Sequence, residues 1–351
     1  MVVFSEAEIE SCIVHGAGNQ AREEELYLSE EPLALDDSLT DALHRFFFKP
    51  FKAEQHFYKF THETGSPDEN ELFAAAKKVF DDPAAFQEVS KLAARRLYEC
   101  SEDRPQIKSG ECCVVLFDNL IVEGEPVQGL GIFKVERKNT FLEVNRGENR
   151  LIFDPREGIN VNKCDKSCII FNTEEDSGFR LLLSDQNQYD AKYWPEQFLN
   201  AAPDTNESYF TDKTFEAVNS FASEMVEHND ASPAKMEMLD RTAKYFDDKE
   251  SFNMDNFVEE VIQTDSYKEK FKDYKKNFDE ENKIPEMDEF QIDRNTAKKS
   301  KKKLNNTIKL DGQIQIKLNF DNENQVDHYL EKGYDAQKEM HFYKVYFREE
   351  D

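Results

Sequence analysis

Thiols, imidazoles and ammonium groups are the side chains from which chemistry is first expected. Cys164 and Cys168 enclose Asp165-Lys166-Ser167. A zinc knuckle spaces its thiols by two residues, and a metal site needs about four ligands. No second Cys/His pair stands at a matching distance, so no metal is expected there. Cys112 and Cys113 are adjacent and, on a strand, point to opposite faces. They cannot chelate together, and the expectation is one core thiol and one surface thiol. His15, His44, His56 and His62 are isolated among apolar runs and read as satisfied core groups. Gly16-Ala17-Gly18-Asn19 starts a dinucleotide-type glycine pattern but lacks its third glycine and a following helix, which leaves a turn. No phosphate-loop, nucleophile-elbow or zinc-protease signature occurs. Carboxylates are so numerous that no pair stands out as an acid/base couple. Asp165-Lys166 falls between two expected strands, where it closes a turn. Lys134 and Glu136 share one strand face and pair with each other, which makes Lys134-Val135-Glu136-Arg137-Lys138 the weaker of two phosphate-contact candidates. Neither a catalytic centre nor a cofactor is expected.

The stronger candidate is residues 294–310. Arg294, Lys298, Lys299, Lys301, Lys302, Lys303 and Lys309 lie in it without a single acid, inside a chain of net charge −28. On charge alone it is either a solvated basic loop or a phosphate site. Screening confines charge effects to about 10 Å, so a local basic patch still attracts a polyanion to one face of an acidic protein. Lysines act as point charges, and the segment lacks a base-reading motif, so contact would be sequence-neutral. Five lysines on five phosphates predict a salt slope of about −4.5 in log K against log salt. The alternative is an acidic adaptor that binds a basic protein and touches DNA little. An enzyme acting on nucleic acid lacks any motif.

Elements that position these residues follow from periodicity. Strands are expected at 11–14 and 26–29, with a turn at 15–19. Asp36 or Asp37 caps a helix over 38–48, stopped by Pro50. Helices are expected over 70–82 and from Asp82-Pro83 through Cys100. Residues 113–117 form a continuous apolar run, as in a central strand, answered across the turn 123–126 by 127–137. Strands at 141–145, 150–154, 158–162, 168–172 and 179–184 continue an antiparallel meander. A helix over 189–200 contains the one tryptophan, Trp194. Residues 201–204 mark a domain boundary. Helices over 211–228, 232–247, 254–263 and 266–280 follow, then the basic segment, a strand at 313–320, a short helix at 326–332 and a strand at 341–347. Helices followed by strands without regular alternation indicate α+β. N-terminal helices are expected to pack on the antiparallel sheet in residues 1–202. Residues 203–351 form a mainly helical region, with the basic segment 294–310, closed by a small β-sheet.

Composition sets outer bounds. A 351-residue chain accommodates about two domains. With 29 Phe and 13 Tyr it is not broadly disordered, despite 34% charged residues. No apolar run reaches the roughly 20 residues that span a bilayer, and residues 1–10 lack a secretory pattern. Six cysteines without a scaffold spacing indicate a reducing, cytoplasmic compartment.

Several collinear segments resemble the bacterial nucleoid-associated NdpA family. They are 15–19 with 26–29, 98–101 with 107–111, Gly131-Ile132-Phe133-Lys134-Val135-Glu136-Arg137-Lys138, 158–172 with Asp165-Lys166-Ser167-Cys168, and Ala191-Lys192-Tyr193-Trp194. Ile308-Lys309-Leu310-Asp311, then Gly333-Tyr334-Asp335 and 342–347, complete the series. The resemblance implies a cytoplasmic, nucleoid-located, non-enzymatic protein that associates with DNA and possesses a lysine-rich stretch before Ile308. The adaptor alternative, which rests on the net charge of −28 and the acidic helices, takes another nucleoid or DNA-processing protein as its basic partner. Ser167 stands where a glycine is expected, and 313–319 is more polar than the resemblance predicts.

Overall fold

The apolar run at 113–117 is the middle of a 13-residue strand, Gly110–Val122. The computed structural model describes residues 2–51, 56–186, 193–229, 232–304, 307–310, 314–317 and 330–347. It divides into two compact units, Met1–Asp204 and Thr205–Asp351.

The first unit runs β1 (Val2–Val3), β2 (Glu8–Ala17), β3 (Leu26–Tyr27), α1 (Asp37–Phe48), β4 (Tyr58–Phe60), α2 (Glu71–Asp81) and α3 (Phe86–Glu99). The hairpin β5 (Gly110–Val122) and β6 (Glu125–Val135) follows, then β7 (Asn139–Arg146), β8 (Leu151–Gly158), β9 (Lys166–Phe171), β10 (Arg180–Asp185) and β11 (Ala201–Pro203). The main sheet has the order β11-β4-β10-β9-β6-β5-β2-β3, and β1 also pairs with β5. Every pairing is antiparallel. The class is therefore α+β, but the sheet is not a plain meander. β7 and β8 leave it as a separate two-stranded ribbon, and β4 is inserted between β10 and β11.

β5 is continuously apolar because the sheet is covered on both faces. Cys112, Val114 and Leu116 join the core that contains Phe73, Val79, Val89 and Leu97 of α2 and α3. Cys113, Val115 and Phe117 join Phe46, Phe47 and Phe48 of α1 on the other face. Both adjacent thiols are therefore buried, which corrects the expectation of one surface cysteine. Burial pushes the Cys112 thiol up to about 12.

Local differences have local causes. His15-Gly16-Ala17 is not a turn but the end of β2, with Gly16 opposite Tyr27 and Glu111. Asn19 makes the turn instead; its amide donates to the carbonyls of Arg104 and Ile107 at 2.9 and 2.6 Å. Residues 158–162 are not a strand: β8 ends at Gly158, and Asn160 Oδ1 accepts from Asn162 N. Of the helix expected over 189–200, residues 189–192 lie outside the described part. Tyr193–Phe198 is a π-helical turn that buries Trp194, whose Nε1 donates to the Ser167 carbonyl at 3.2 Å. Asp82 caps the short 3-10 turn Pro83–Ala85 that leads into α3.

Gly110 begins β5 where a Cβ would lie 1.7 Å from the Val135 carbonyl oxygen. That obstacle is backbone and cannot rotate away. Gly110→Ala is expected to destabilise this unit by about 3 kcal/mol, read as a lowered midpoint in urea.

The second unit contains α4 (Glu207–Asn229), α5 (Ser232–Asp248), β12 (Ser251–Asn253), α6 (Met254–Phe257), α7 (Asp265–Glu281), β13 (Glu289–Gln291) and α8 (Arg294–Lys301). The hairpins β14 (Thr307–Leu310) with β15 (Ile314–Lys317), and β16 (Leu330–Asp335) with β17 (Met340–Val345), follow. α6 runs into a π-helical turn, Val258–Ile262. The core is aromatic: Phe215, Phe246, Phe252, Phe257 and Phe271 are all buried. The strand expected at 313–320 is β15, paired antiparallel with β14, with 311–313 and 318–320 outside the described residues. One expectation changes here. Residues 330–332 open β16 rather than ending a helix; 326–329 lie outside the described part.

Candidate nucleic-acid interface

The first part of the basic segment, Arg294–Lys301, is a helix rather than a loop. Asp293 caps α8, its Oδ1 accepting from Thr296 N at 2.7 Å. Ala297, Ser300 and Leu304, at intervals of three and four, face inward and are buried. Ser300 Oγ hydrogen-bonds the Asp212 carboxylate, and Ser208 and Thr296 hydroxyls meet at 2.6 Å. These contacts fix α8 onto α4. Lysines in its last turn complement the negative end of the helix dipole. The cap and the small-residue stripe were legible in the sequence, but the charge of the lysines between them suggested a loop.

That anchoring divides the cations. Arg294 Nη1 donates to the carbonyls of Phe246 and Asp247, at 2.8 and 2.5 Å, at the end of α5. Lys301 pairs with Asp247 at 2.7 Å and Lys303 with Asp212 at 3.4 Å. Lys298 and Lys302 are exposed and Lys299 half-buried. None of these three forms an ion pair among the described residues. Arg294, Lys298, Lys301, Lys302 and Asp247 line an open cleft of about 570 Å³. Lys309 stands opposite Gln315 in β14; its side chain lies outside the described part.

The second basic candidate is core. Lys134 and Lys166 are directly opposite on β6 and β9, and both are 1% exposed. Lys134 Nζ donates to the Lys108 carbonyl at 2.6 Å and lies 3.3 Å from Glu136, as their shared strand face predicts. Lys166 pairs with Asp185 at 2.8 Å. Both ammonium groups lie over the Tyr193 ring, at 5.3 and 5.4 Å. Burial pushes the Lys134 ammonium below the usual lysine range, with Glu136 opposing. Asp165 closes the neighbouring turn by accepting from Glu136 N at 2.7 Å. These groups are out of reach of a phosphate backbone.

Cys164 hydrogen-bonds the Lys166 carbonyl at 3.2 Å, and burial holds its thiol near about 12. Among the described residues, no group of three or more His, Cys, Asp or Glu is arranged to hold a metal ion.

His15 is a satisfied core group. Its Nε2 meets Ser90 Oγ at 3.1 Å and its Nδ1 accepts from Ser29 N at 3.1 Å. Burial first, then Lys91 and Arg95, push it down to about 4. The unfolded chain takes up this proton near pH 6.5, the folded chain only near pH 4. Stability from this group is therefore complete above pH 6.5 and is lost as pH falls toward 4, by up to about 3 kcal/mol. Urea titrations at pH 7 and pH 5 are expected to show a smaller pH loss for His15→Gln than for the wild type.

A family model described as nucleoid-associated protein YejK matches residues 13–340. No curated protein matches the chain. No helix among the described residues is long and apolar enough to cross a membrane.

Proposed function

The chain belongs to the nucleoid-associated protein YejK family, the NdpA family of the sequence resemblance, and from that premise we infer that α8 is its contact with DNA. Membership makes it a nucleoid-associated protein and places it in the cytoplasm, at the nucleoid. The finer reading is a non-enzymatic DNA-binding or nucleoid-accessory protein that touches phosphates through the C-terminal lysine cluster. One observation carries it: Lys298, Lys299 and Lys302 project from a helix whose remaining cations are spent on holding it in place. A rigid helix presents charge at fixed spacing, so less ordering entropy is lost on binding than with a loop.

Three free ammonium groups alter the expected salt dependence. Log K for a random-sequence duplex should fall with log salt at a slope of about −2.7, shallower than the −4.5 expected from five lysines. Absence of binding to naked duplex at low salt would refute direct contact.

A second reading has its own support. Asp255, Glu269, Asp273, Asp279, Glu286 and Asp288 line a cleft of about 740 Å³ that Lys272, Lys275 and Lys276 only partly offset. Burial raises the Asp279 carboxyl, and Glu286 and Asp288 add to the effect while Lys275 opposes it. Such a cleft suits a basic protein segment, as an acidic adaptor reaching the nucleoid through a protein partner requires. Retention of partners in a pull-down after nuclease treatment, with no shift of naked DNA, would favour it.

A further inference from the structure

The ribbon β7–β8 has one face that the rest of its unit does not cover. Its register pairs Leu142 with Pro155, Val144 with Phe153 and Arg146 with Leu151. Directly opposed residues share a face, so Leu142, Val144, Leu151, Phe153 and Pro155 form one apolar surface. Leu142, Val144, Leu151 and Phe153 are 61, 56, 68 and 65% exposed. The other face is mixed: Arg156 pairs with Glu143 at 3.0 Å and Asn145 with Asp154 at 2.7 Å, beside Phe141 and Ile152, which are 52 and 37% exposed. An isolated two-stranded ribbon is marginal in water without an apolar partner, and a contiguous exposed patch of this kind marks an interaction site.

The geometry points to a second copy of this chain as the occupant, with the two ribbons stacked apolar face to apolar face and antiparallel. Charge supports this choice. The chain carries −28, so most surfaces of two copies repel. Residues 139–158 have Arg146, Arg150 and Arg156 against Glu143, Glu148, Asp154 and Glu157, and are nearly neutral. The apolar face is bounded by Arg146 at its tip and by Thr140 with Glu157 at its base. Neither Arg146 nor Glu157 forms an ion pair among the described residues. A two-fold axis through the middle of the ribbon lays Leu142 and Pro155 of one copy on Val144 and Phe153 of the other. It also brings Arg146 of each copy level with Glu157 of the other, as a self-complementary interface requires. A parallel stacking would instead bring like charges together. A duplex is the poorer occupant, because this face offers phosphates only Arg146.

Each strand has 8 residues, so the ribbon is about 26 Å long at about 3.3 Å per residue. Its footprint falls well short of the roughly 800 Å² per partner of a stable interface. The dimer should therefore be weak and concentration-dependent.

Sedimentation equilibrium of the full chain over a wide concentration range tests this. The expected mass rises from 41.0 kDa toward twice that value. The pair Leu142→Asp with Phe153→Asp should weaken association by about 100-fold or more. Both sites are exposed, and unchanged circular dichroism and melting would verify the fold. Arg146→Glu and Glu157→Arg should each weaken it by about tenfold, and the double swap should recover it. A monomer at every concentration overturns the proposal, as does a dimer indifferent to the two aspartates. Failure of the double swap to recover association overturns the antiparallel arrangement. Loss of DNA binding in the aspartate variant at unchanged mass would assign the face to nucleic acid and overturn the proposal as well.

Discussion

Replacing Lys298, Lys299 and Lys302 with Gln is expected to remove most of the salt dependence of DNA binding. The wild-type slope of about −2.7 should approach zero, and affinity at low salt should fall by about tenfold or more, uniformly across sequences. Anisotropy titrations over a range of salt concentrations read both quantities. These side chains project to solvent or lie at the helix edge, without ion pairs among the described residues. The fold should therefore lose no more than about 0.5 kcal/mol. Lys301→Gln and Lys303→Gln are the informative contrast. They break ion pairs to Asp247 and Asp212, so they should affect the unfolding of the second unit more than the salt slope. An unchanged slope in the triple variant would move the contact away from α8.

The second large effect is in the core of the first unit. Lys134→Met should cost about 3–5 kcal/mol, because it removes the cation beside a carboxylate that is taken fully out of water. The Lys134 side chain is 2% exposed and that of Glu136 0%. Replacing both, as Lys134→Met with Glu136→Met, should recover part of the loss, since it also removes the carboxylate that the single variant leaves without its Lys134 cation. Urea unfolding of the two variants reads this directly. DNA affinity at a salt concentration where both variants are folded should not change. A Lys134→Met protein of native stability with a reduced salt slope would show that Lys134 meets phosphate after all.

Much of the first unit was legible from pattern because its physics is local. Asp36, Asn70 and Asp82 cap where short polar side chains precede apolar periodicity. The run 113–117 announced a strand covered on both faces. What could not be read was which strands share a sheet: 141–145 and 150–154 alternate as sheet strands do, yet pair only with each other. Nothing in a strand's own sequence specifies its neighbour across a long connection. The π-helical turns at Tyr193–Phe198 and Val258–Ile262 were hidden because their apolar spacing resembles that of an ordinary helix.

The lysine segment illustrates the same limit at the candidate site. Its seven cations were visible as charge, but their division of labour was not. Asp212 and Asp247 lie far from the lysines in sequence and reach Lys303 and Lys301 only through the packing of α8 with α4 and α5. The alternation at 314–317 announced β15, but its partner β14 was hidden because Thr307–Leu310 falls within the basic segment.

The most direct test of α8 as the DNA contact is lysine acetylation footprinting of the full chain, with and without a random-sequence duplex at low salt. Lys298, Lys299 and Lys302 should lose reactivity by severalfold on adding DNA, and raising the salt should restore it. The exposed Lys78 of the first unit should be unaffected. Equal reactivity of the three lysines with and without DNA, under conditions where the duplex is bound, would contradict the account.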